Sequence, residues 1–318
     1  MHRVVVRSDV TAAVGTGETL RTAATVVVPE PSERAARPVV YFGFPGGGYS
    51  RGYYDLHPPG HPGYSQAEHH VGRGDVFVAC DHLGVGESDV PEVPLDFEAV
   101  GRANAATARD VLRRLAAGEL DPEGAPIEAA AAVGLGQSFG GFVLTIGQAI
   151  DPCFDAVGML GWSGIETMPP WPEDVDLEAM FTGTAGDGLD HPMRAVFHHD
   201  AEVEELVVLD MTRSGGMGSR AGWGADHAPG GPAVSGARGP LGPGVVAVEA
   251  AAIAVPVLVL CGEIDVVADP WSEPTAYRGS HDVTVAVFGQ MAHMHNFAPT
   301  RADAWARIHS WAHGAADD

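Results

Sequence analysis

Ala130-Ala131-Ala132-Val133-Gly134-Leu135-Gly136-Gln137-Ser138-Phe139-Gly140-Gly141-Phe142-Val143-Leu144 is the stretch where an apolar, strand-like run crosses a glycine-rich turn into a helix-like one. A chain that turns so abruptly from strand to helix strains the backbone of its central residue, and the positions two residues away must be small. Glycines at 136 and 140 meet that demand. Ser138 is then expected at the tip of the turn, with its hydroxyl raised. The helix expected over Phe139–Ile150 aims its first N–H groups at the same point. An ordinary glycine-rich turn is the bland alternative, and the strand–turn–helix placement argues against it.

Outward from this turn, strand and helix signals alternate. Strands are expected at 3–7, 22–28, Val39–Phe44 and 75–80, then at 130–135, Ala156–Leu160, 255–261 and 283–288. Phe97, Val100, Ala105, Ala108, Val111, Leu112 and Leu115 recur at helical spacing until Gly118, and a last helix is expected at 300–313. Continuous apolar strands alternating with helices imply an α/β fold with a mostly parallel sheet covered on both faces. The alternation fails between Gly164 and Val255. That stretch begins rich in Pro and Trp, becomes acidic and helical around 191–211, and is Gly/Pro-rich over 214–244. It is too long for a simple connection. The expected organisation is a core built from residues 1–164 and 255–318, split by a lid or cap insertion at 165–254 with a mobile loop at 214–244. A functionless surface loop is the other reading of the Gly/Pro tract.

A serine hydroxyl is a poor nucleophile without a base and a third group that orients the base. Val257-Leu258-Val259-Leu260-Cys261-Gly262-Glu263-Ile264-Asp265 ends a buried strand in a carboxylate. The strand at 283–288 runs into Gly289-Gln290-Met291-Ala292-His293-Met294-His295. The chain order Ser, Asp, His suits a triad built at the carboxyl edge of a parallel sheet. Ser138 is therefore the expected nucleophile, Asp265 the acid and His293 the base. His295 would point the same way in an extended loop, and Glu263 is close to Asp265, so both stay open. A helix cap near Pro270 is the structural reading of Asp265.

With these residues in place, the chain resembles the α/β-hydrolase-fold serine hydrolases over nearly all its length outside the insertion. Asp81-His82-Leu83-Gly84-Val85-Gly86-Glu87-Ser88 is similar to the family's D-x-x-G-x-G-x-S loop, which implies a structural role near the site. Gly43-Phe44-Pro45-Gly46-Gly47-Gly48 resembles its H-G-x oxyanion loop, with Phe42 where histidine is common. The resemblance implies an eight-stranded sheet with the lid between the sixth and seventh strands. It implies an oxyanion hole made by the backbone N–H groups of Phe44 and Phe139, with Gly46 or Gly47 as the alternative first donor. It also adds Glu166, after the sixth strand, as a possible triad acid.

Composition bears on the substrate. The chain of 318 residues carries 42 acidic and 18 basic side chains, no lysine, and a net charge of −24. Nucleic acid and anionic membranes would be repelled over most of such a surface, and no arginine cluster offers a local exception. Solubility alone also explains the acidity. Without lysine there is no P-loop. No apolar run reaches membrane-spanning length, and the N-terminus lacks a signal-peptide pattern, so a cytoplasmic protein is expected. Cys80, Cys153 and Cys261 fit neither a disulfide framework nor a zinc spacing and read as buried bystanders. Histidines 57, 61, 69 and 70 and the His198-His199-Asp200 group lack H-E-x-x-H spacing and read as surface or loop residues. Neither metal nor organic cofactor is expected.

The Tyr49-Ser50-Arg51-Gly52-Tyr53-Tyr54 extension of the oxyanion loop reads equally as pocket wall or packing. Trp162, Met168, Trp171, Met180, Phe181, Met211 and Trp223 suit an apolar lid, or the lid's own core. The loop is also weakly similar to actinobacterial hydrolases that include zearalenone lactonases. The expected function is hydrolysis of a neutral, largely apolar carboxylic ester or lactone. A C–C hydrolase, thioesterase or acyltransferase with the same triad, or a non-catalytic binding protein, are the rivals. Oligomeric state is left open.

Overall fold

The computed structural model describes residues 1–47, 49–168, 194–198 and 242–317. Apolar and β-branched runs form eight strands: β1 His2–Asp9, β2 Arg21–Val28, β3 Val39–Phe44, β4 Val76–Cys80, β5 Ala131–Gln137, β6 Ala156–Leu160, β7 Val257–Ile264 and β8 Val283–Ala292. They make one sheet in the order β1-β2-β4-β3-β5-β6-β7-β8. β1 and β2 pair antiparallel, as do β2 and β4, and every later ladder is parallel. β3, β4, β5 and β6 are buried at every position, which explains their unbroken apolar runs.

Helices cover both faces. They are α1 Thr11–Val14, α2 Gln66–Val71, α3 Phe97–Ala116, α4 Phe139–Ile150, α5 Arg194–His198, α6 Ala247–Ala252 and α7 Arg301–Asp317. Side chains alternate across the sheet with a period of two. Val40 and Phe42 of β3 join one core with Val111 and Leu115 of α3 and Phe142 of α4. Val39 and Tyr41 join the other with Val71 of α2 and Ile308 and Trp311 of α7. Asp96 starts α3 by accepting the Ala99 N–H at 2.7 Å. The short helices α1, α2 and α6 have no counterpart in the sequence reading, because four to six residues are too few to display a helical period.

Strand ends differ from expectation where they matter. β8 runs to Ala292 rather than stopping at Phe288. Between the Gly262–Phe288 and Ile264–Ala292 pairs β8 carries two residues more than β7, with Gln290 at φ 55°, and this bulge keeps the ladder going. Asp265 and His293 therefore sit at the very ends of adjacent strands.

The interruption of the alternation lies between β6 and β7. Gly244 N–H donates to the Ile165 C=O and Met168 N–H to the Val266 C=O, both at 2.8 Å, so its two ends lie close together beside the sheet. Most of the expected lid at 165–254, including its loop 214–244 up to residue 241, lies outside the described residues, and so do Trp171, Met180, Phe181, Met211 and Trp223. Among the described residues no helix is long and apolar enough to cross a membrane.

Candidate active site

Ser138 caps α4 directly after β5, with φ 51° and ψ −118°. This is the left-handed region that a non-glycine residue enters only at a cost. The turn survives because its flanks carry no side chains. A Cβ on Gly136 would meet the Gly140 carbonyl carbon at 2.6 Å, and one on Gly140 would stand 2.1 Å from the Phe44 C=O. The Ser138 N–H is held by the Leu160 C=O of β6 at 2.9 Å, and its own C=O accepts the Gly141 N–H at 2.8 Å. The hydroxyl is left as the half-exposed tip of the turn.

Asp265 lies across the sheet edge from this tip, fully buried and with both oxygens saturated. Oδ1 is 2.7 Å from His293 Nδ1 and accepts the Val266 N–H at 2.8 Å. Oδ2 is 2.7 Å from His295 Nε2 and accepts the Gly262 N–H at 2.8 Å. Burial by itself would raise this carboxyl, but the His295 and His293 imidazoles outweigh it and hold it well below the usual carboxylate range. The structure thus brings both histidines to Asp265, with opposite ring orientations. His293 uses Nδ1, which leaves Nε2 on the side of the elbow. His295 uses Nε2, and its Nδ1 is buried with no partner among the described residues. Neither alternative acid reaches these rings: Glu263 is exposed beside Gly289, and Glu166 stands on the segment after β6, where its N–H donates to Ser163 Oγ.

Ser138 Oγ has no hydrogen-bond partner among the described residues. Its neighbour Gln137 makes the link instead. Gln137 Nε2 donates to the His293 C=O at 3.1 Å and stands 3.5 Å from His293 Nε2. His293 is also fastened from the other side: its N–H donates to the Val196 C=O of α5 at 3.0 Å. The segment between β6 and β7 therefore reaches His293.

The β3 loop closes the site from the opposite direction. Phe44 pairs with Gly136 across the β3–β5 ladder, and its C=O accepts the buried Tyr54 hydroxyl at 2.9 Å. His82 Nε2–H donates to the Pro45 C=O at 3.0 Å, while Asn104 Nδ2 donates to its Nδ1 at 3.0 Å. Burial keeps this imidazole below its ordinary value, hence neutral. A trans peptide is planar, so pinning the Pro45 C=O turns the Gly46 N–H to the opposite side. A Cβ on Gly46 would stand 3.2 Å from Ser138 Cβ, and one on Gly47 would stand 3.7 Å from Phe139 Cβ. The backbone at 44–47 is thereby packed against the backbone at 138–140.

The D-x-x-G-x-G-x-S loop braces this arrangement. Asp81 accepts the Arg51 N–H at 2.6 Å and pairs with its guanidinium, which also pairs with Glu87. Gly86, at φ 57°, packs so close to Asp81 that a Cβ there would lie 2.3 Å from Oδ2. Tyr49, Tyr53 and Tyr54 are buried and pack edge to face, and Asn296 Nδ2 donates to the Tyr53 C=O at 2.9 Å. These tyrosines tie the loop after β3 to the loop that carries His293 and His295.

Gln137, His82 and Asn296 escaped the sequence reading. Gln137 and His82 sit inside quoted motifs at variable positions, and only contact reveals their use. His70 corrects the expectation of surface histidines: it is fully buried on α2, and His69 is partly so. All three thiols are free, and burial raises each of them, Cys153 to about 12.

No family model and no curated protein matches the chain in sequence. Solved structures do match in shape. A bromoperoxidase from Bacillus anthracis superposes with a TM-score of 0.64 at 12% identity, covering 99% of this chain and 100% of that one. A proline iminopeptidase from Mycobacterium smegmatis gives 0.60 at 16% identity over 98% and 99%. A malate-bound thermophilic esterase from Thermogutta terrifontis gives 0.59 at 14% identity, covering 99% of each chain.

Proposed function

We propose that this chain, which has the α/β-hydrolase fold, is a serine hydrolase cleaving a carboxylic ester or lactone in a neutral, largely apolar small molecule. The observation that carries the reading is Ser138 on a strained strand-to-helix turn, facing a buried Asp265–His293 pair at the same sheet edge. Strain of this kind persists where surrounding structure enforces it, and it clusters at reactive positions.

In this reading Ser138 Oγ attacks the substrate carbonyl carbon while His293 Nε2 takes its proton. Asp265 orients the ring through Nδ1 and stabilises the imidazolium. The N–H groups of Phe44 and Phe139 receive the oxyanion, with Gly46 as the alternative to Phe44. One such donor contributes about 3–4 kcal/mol to the transition state. His293 then returns the proton to the leaving alkoxide. Water, deprotonated by His293, attacks the acyl-serine and releases the acid. A lactone would stay attached through its own ring until that second step.

Ester or lactone chemistry is favoured over the rivals by the surface charge of −24, which disfavours phosphate-bearing carriers such as acyl-CoA. The esterase among the structural neighbours points the same way. The test is intact mass after a fluorophosphonate probe. One adduct on the wild type, absent from a folded Ser138→Ala variant, is the expected result. No adduct on folded wild type, or an equal adduct on the variant, overturns the assignment. An aromatic ester and lactone panel then separates the bond classes.

A further inference from the structure

On the opposite side of the sheet from α3 and α4, α7 presents His309 and His313, four residues apart and therefore on one face of the helix. Their ring centroids are 4.4 Å apart. Both rings meet the same carboxylate oxygen: Asp75 Oδ2 is 3.1 Å from His309 Nδ1 and 2.9 Å from His313 Nε2. We propose that Asp75, His309 and His313 form a binding site for a divalent transition-metal ion, with zinc the best chemical match, that clamps the C-terminal helix to the sheet.

The donor set is two imidazoles and one carboxylate, which suits zinc and its neighbours rather than calcium or magnesium. All three ligand atoms lie within 4.8 Å of one another. Tetrahedral zinc with bonds of about 2.0–2.2 Å spaces its ligand atoms about 3.3 Å apart, so the two measured separations need only tenths of an ångström of adjustment. The carboxylate is rigid: its side chain is fully buried just ahead of β4, and Oδ1 is engaged by the Val39 N–H at 3.0 Å, leaving Oδ2 to face the helix. The histidines keep 24% and 41% side-chain exposure, which gives an ion a way in and leaves room for a fourth, water ligand.

A second observation separates this cluster from an ordinary hydrogen-bonded His–Asp–His contact. His70 is fully buried behind it, 6.1 Å from the His309 ring, and neither of its ring nitrogens finds a hydrogen-bond partner among the described residues. The buried Tyr41 hydroxyl and His69 Nε2 are unpartnered as well. Buried polar atoms are rarely left so, and several together mark a place where something polar is missing. Arg73, the neighbouring cation, donates to the His69 C=O at 2.7 Å. The Asp265 cluster differs: His293 and His295 take separate oxygens and are buried, as a proton relay requires.

The test uses the full chain, stripped with chelator and titrated with zinc chloride by calorimetry, with metal content measured by mass spectrometry. One ion per chain is expected, together with a zinc-dependent rise in melting temperature. Cobalt in place of zinc is expected to give the visible absorption of a tetrahedral site. The His309→Gln/His313→Gln variant should bind at least about 100-fold more weakly and lose the thermal shift, with unchanged circular dichroism and ester turnover. Ser138→Ala and His293→Ala should bind as the wild type does. No stoichiometric zinc on the folded wild type, or undiminished affinity in the double variant, overturns the proposal.

Discussion

Replacing His295 by phenylalanine isolates what the second imidazole does for Asp265. In the wild type the carboxylate accepts four donors: the His293 and His295 rings at 2.7 Å and the Gly262 and Val266 N–H groups at 2.8 Å. Phenylalanine fills the same space and removes one donor, leaving a lone pair of a fully buried anion unmatched. A hydrogen bond to a charged group contributes about 1.5–3 kcal/mol, so stability should fall by about that amount. If the whole loss appeared in the transition state, the rate would fall about 10- to 150-fold, since 1.36 kcal/mol is about tenfold. The catalytic loss is expected below that ceiling, because His293 keeps its own bond to Oδ1. Glutamine, whose Nε2 can stand near the imidazole nitrogen, should restore most of the stability. His293→Gln should instead abolish turnover by several orders of magnitude, with a stability loss no larger than that of His295→Phe. The assay pairs urea unfolding with kcat/KM on an activated aromatic ester. A His295→Phe enzyme as inactive as His293→Gln would refute the division of roles and make His295 the base.

Three further outcomes follow from the same geometry. His82→Ala releases the Pro45 C=O and with it the loop that carries Phe44 and Gly46, so kcat should drop about 10- to 100-fold with KM little changed. An unchanged kcat would show that the loop is held without it. Gly140→Ala would place a methyl 2.1 Å from the Phe44 C=O, a backbone atom that cannot step aside. Destabilisation near the upper end of the overpacking range, about 3 kcal/mol, and lost labelling of Ser138 are expected by urea unfolding and fluorophosphonate assay. Finally, burial keeps His70 well below, and His69 at about 4 against, the ordinary value near 6.5. The unfolded chain binds those protons first, so this stability is whole above about pH 6.5 and is lost as pH falls toward 4, at up to about 1.4 kcal/mol per pH unit per histidine. Urea midpoints at pH 7, 6 and 5 should decline, and His70→Leu should flatten the decline.

Much of the frame was legible because it is written in local patterns. The strands at Val39–Phe44 and Ala156–Leu160 and the helix at Phe139–Ile150 match the observed bounds, because each is a continuous apolar run or period stopped by Pro45, Gly161 or Asp151. Local pattern fell short after Phe288, where a bulged ladder carried the strand past Gly289 to Ala292. It also failed for His70, which reads as a polar loop residue and is packed against Tyr41 and Phe77. Burial is a property of what folds over a residue, and α7, which covers His70, comes more than two hundred residues later.

The order of Ser138, Asp265 and His293, the strain that glycines at 136 and 140 permit, and the alternation that makes a parallel sheet are all properties of the chain read in one dimension. Spacing could not choose between His293 and His295, or between Asp265 and Glu263, because two side chains near each other in sequence differ only in where the folded backbone points them. The tertiary structure alone brought these groups together: β8 continued past a bulge to Ala292, and one carboxylate came to lie between two imidazoles while Glu263 turned outward. It likewise brought Asp75 to His309 and His313 across the length of the chain. A hydrogen bond requires atoms within about 3 Å, and only the packing of distant elements supplies that distance.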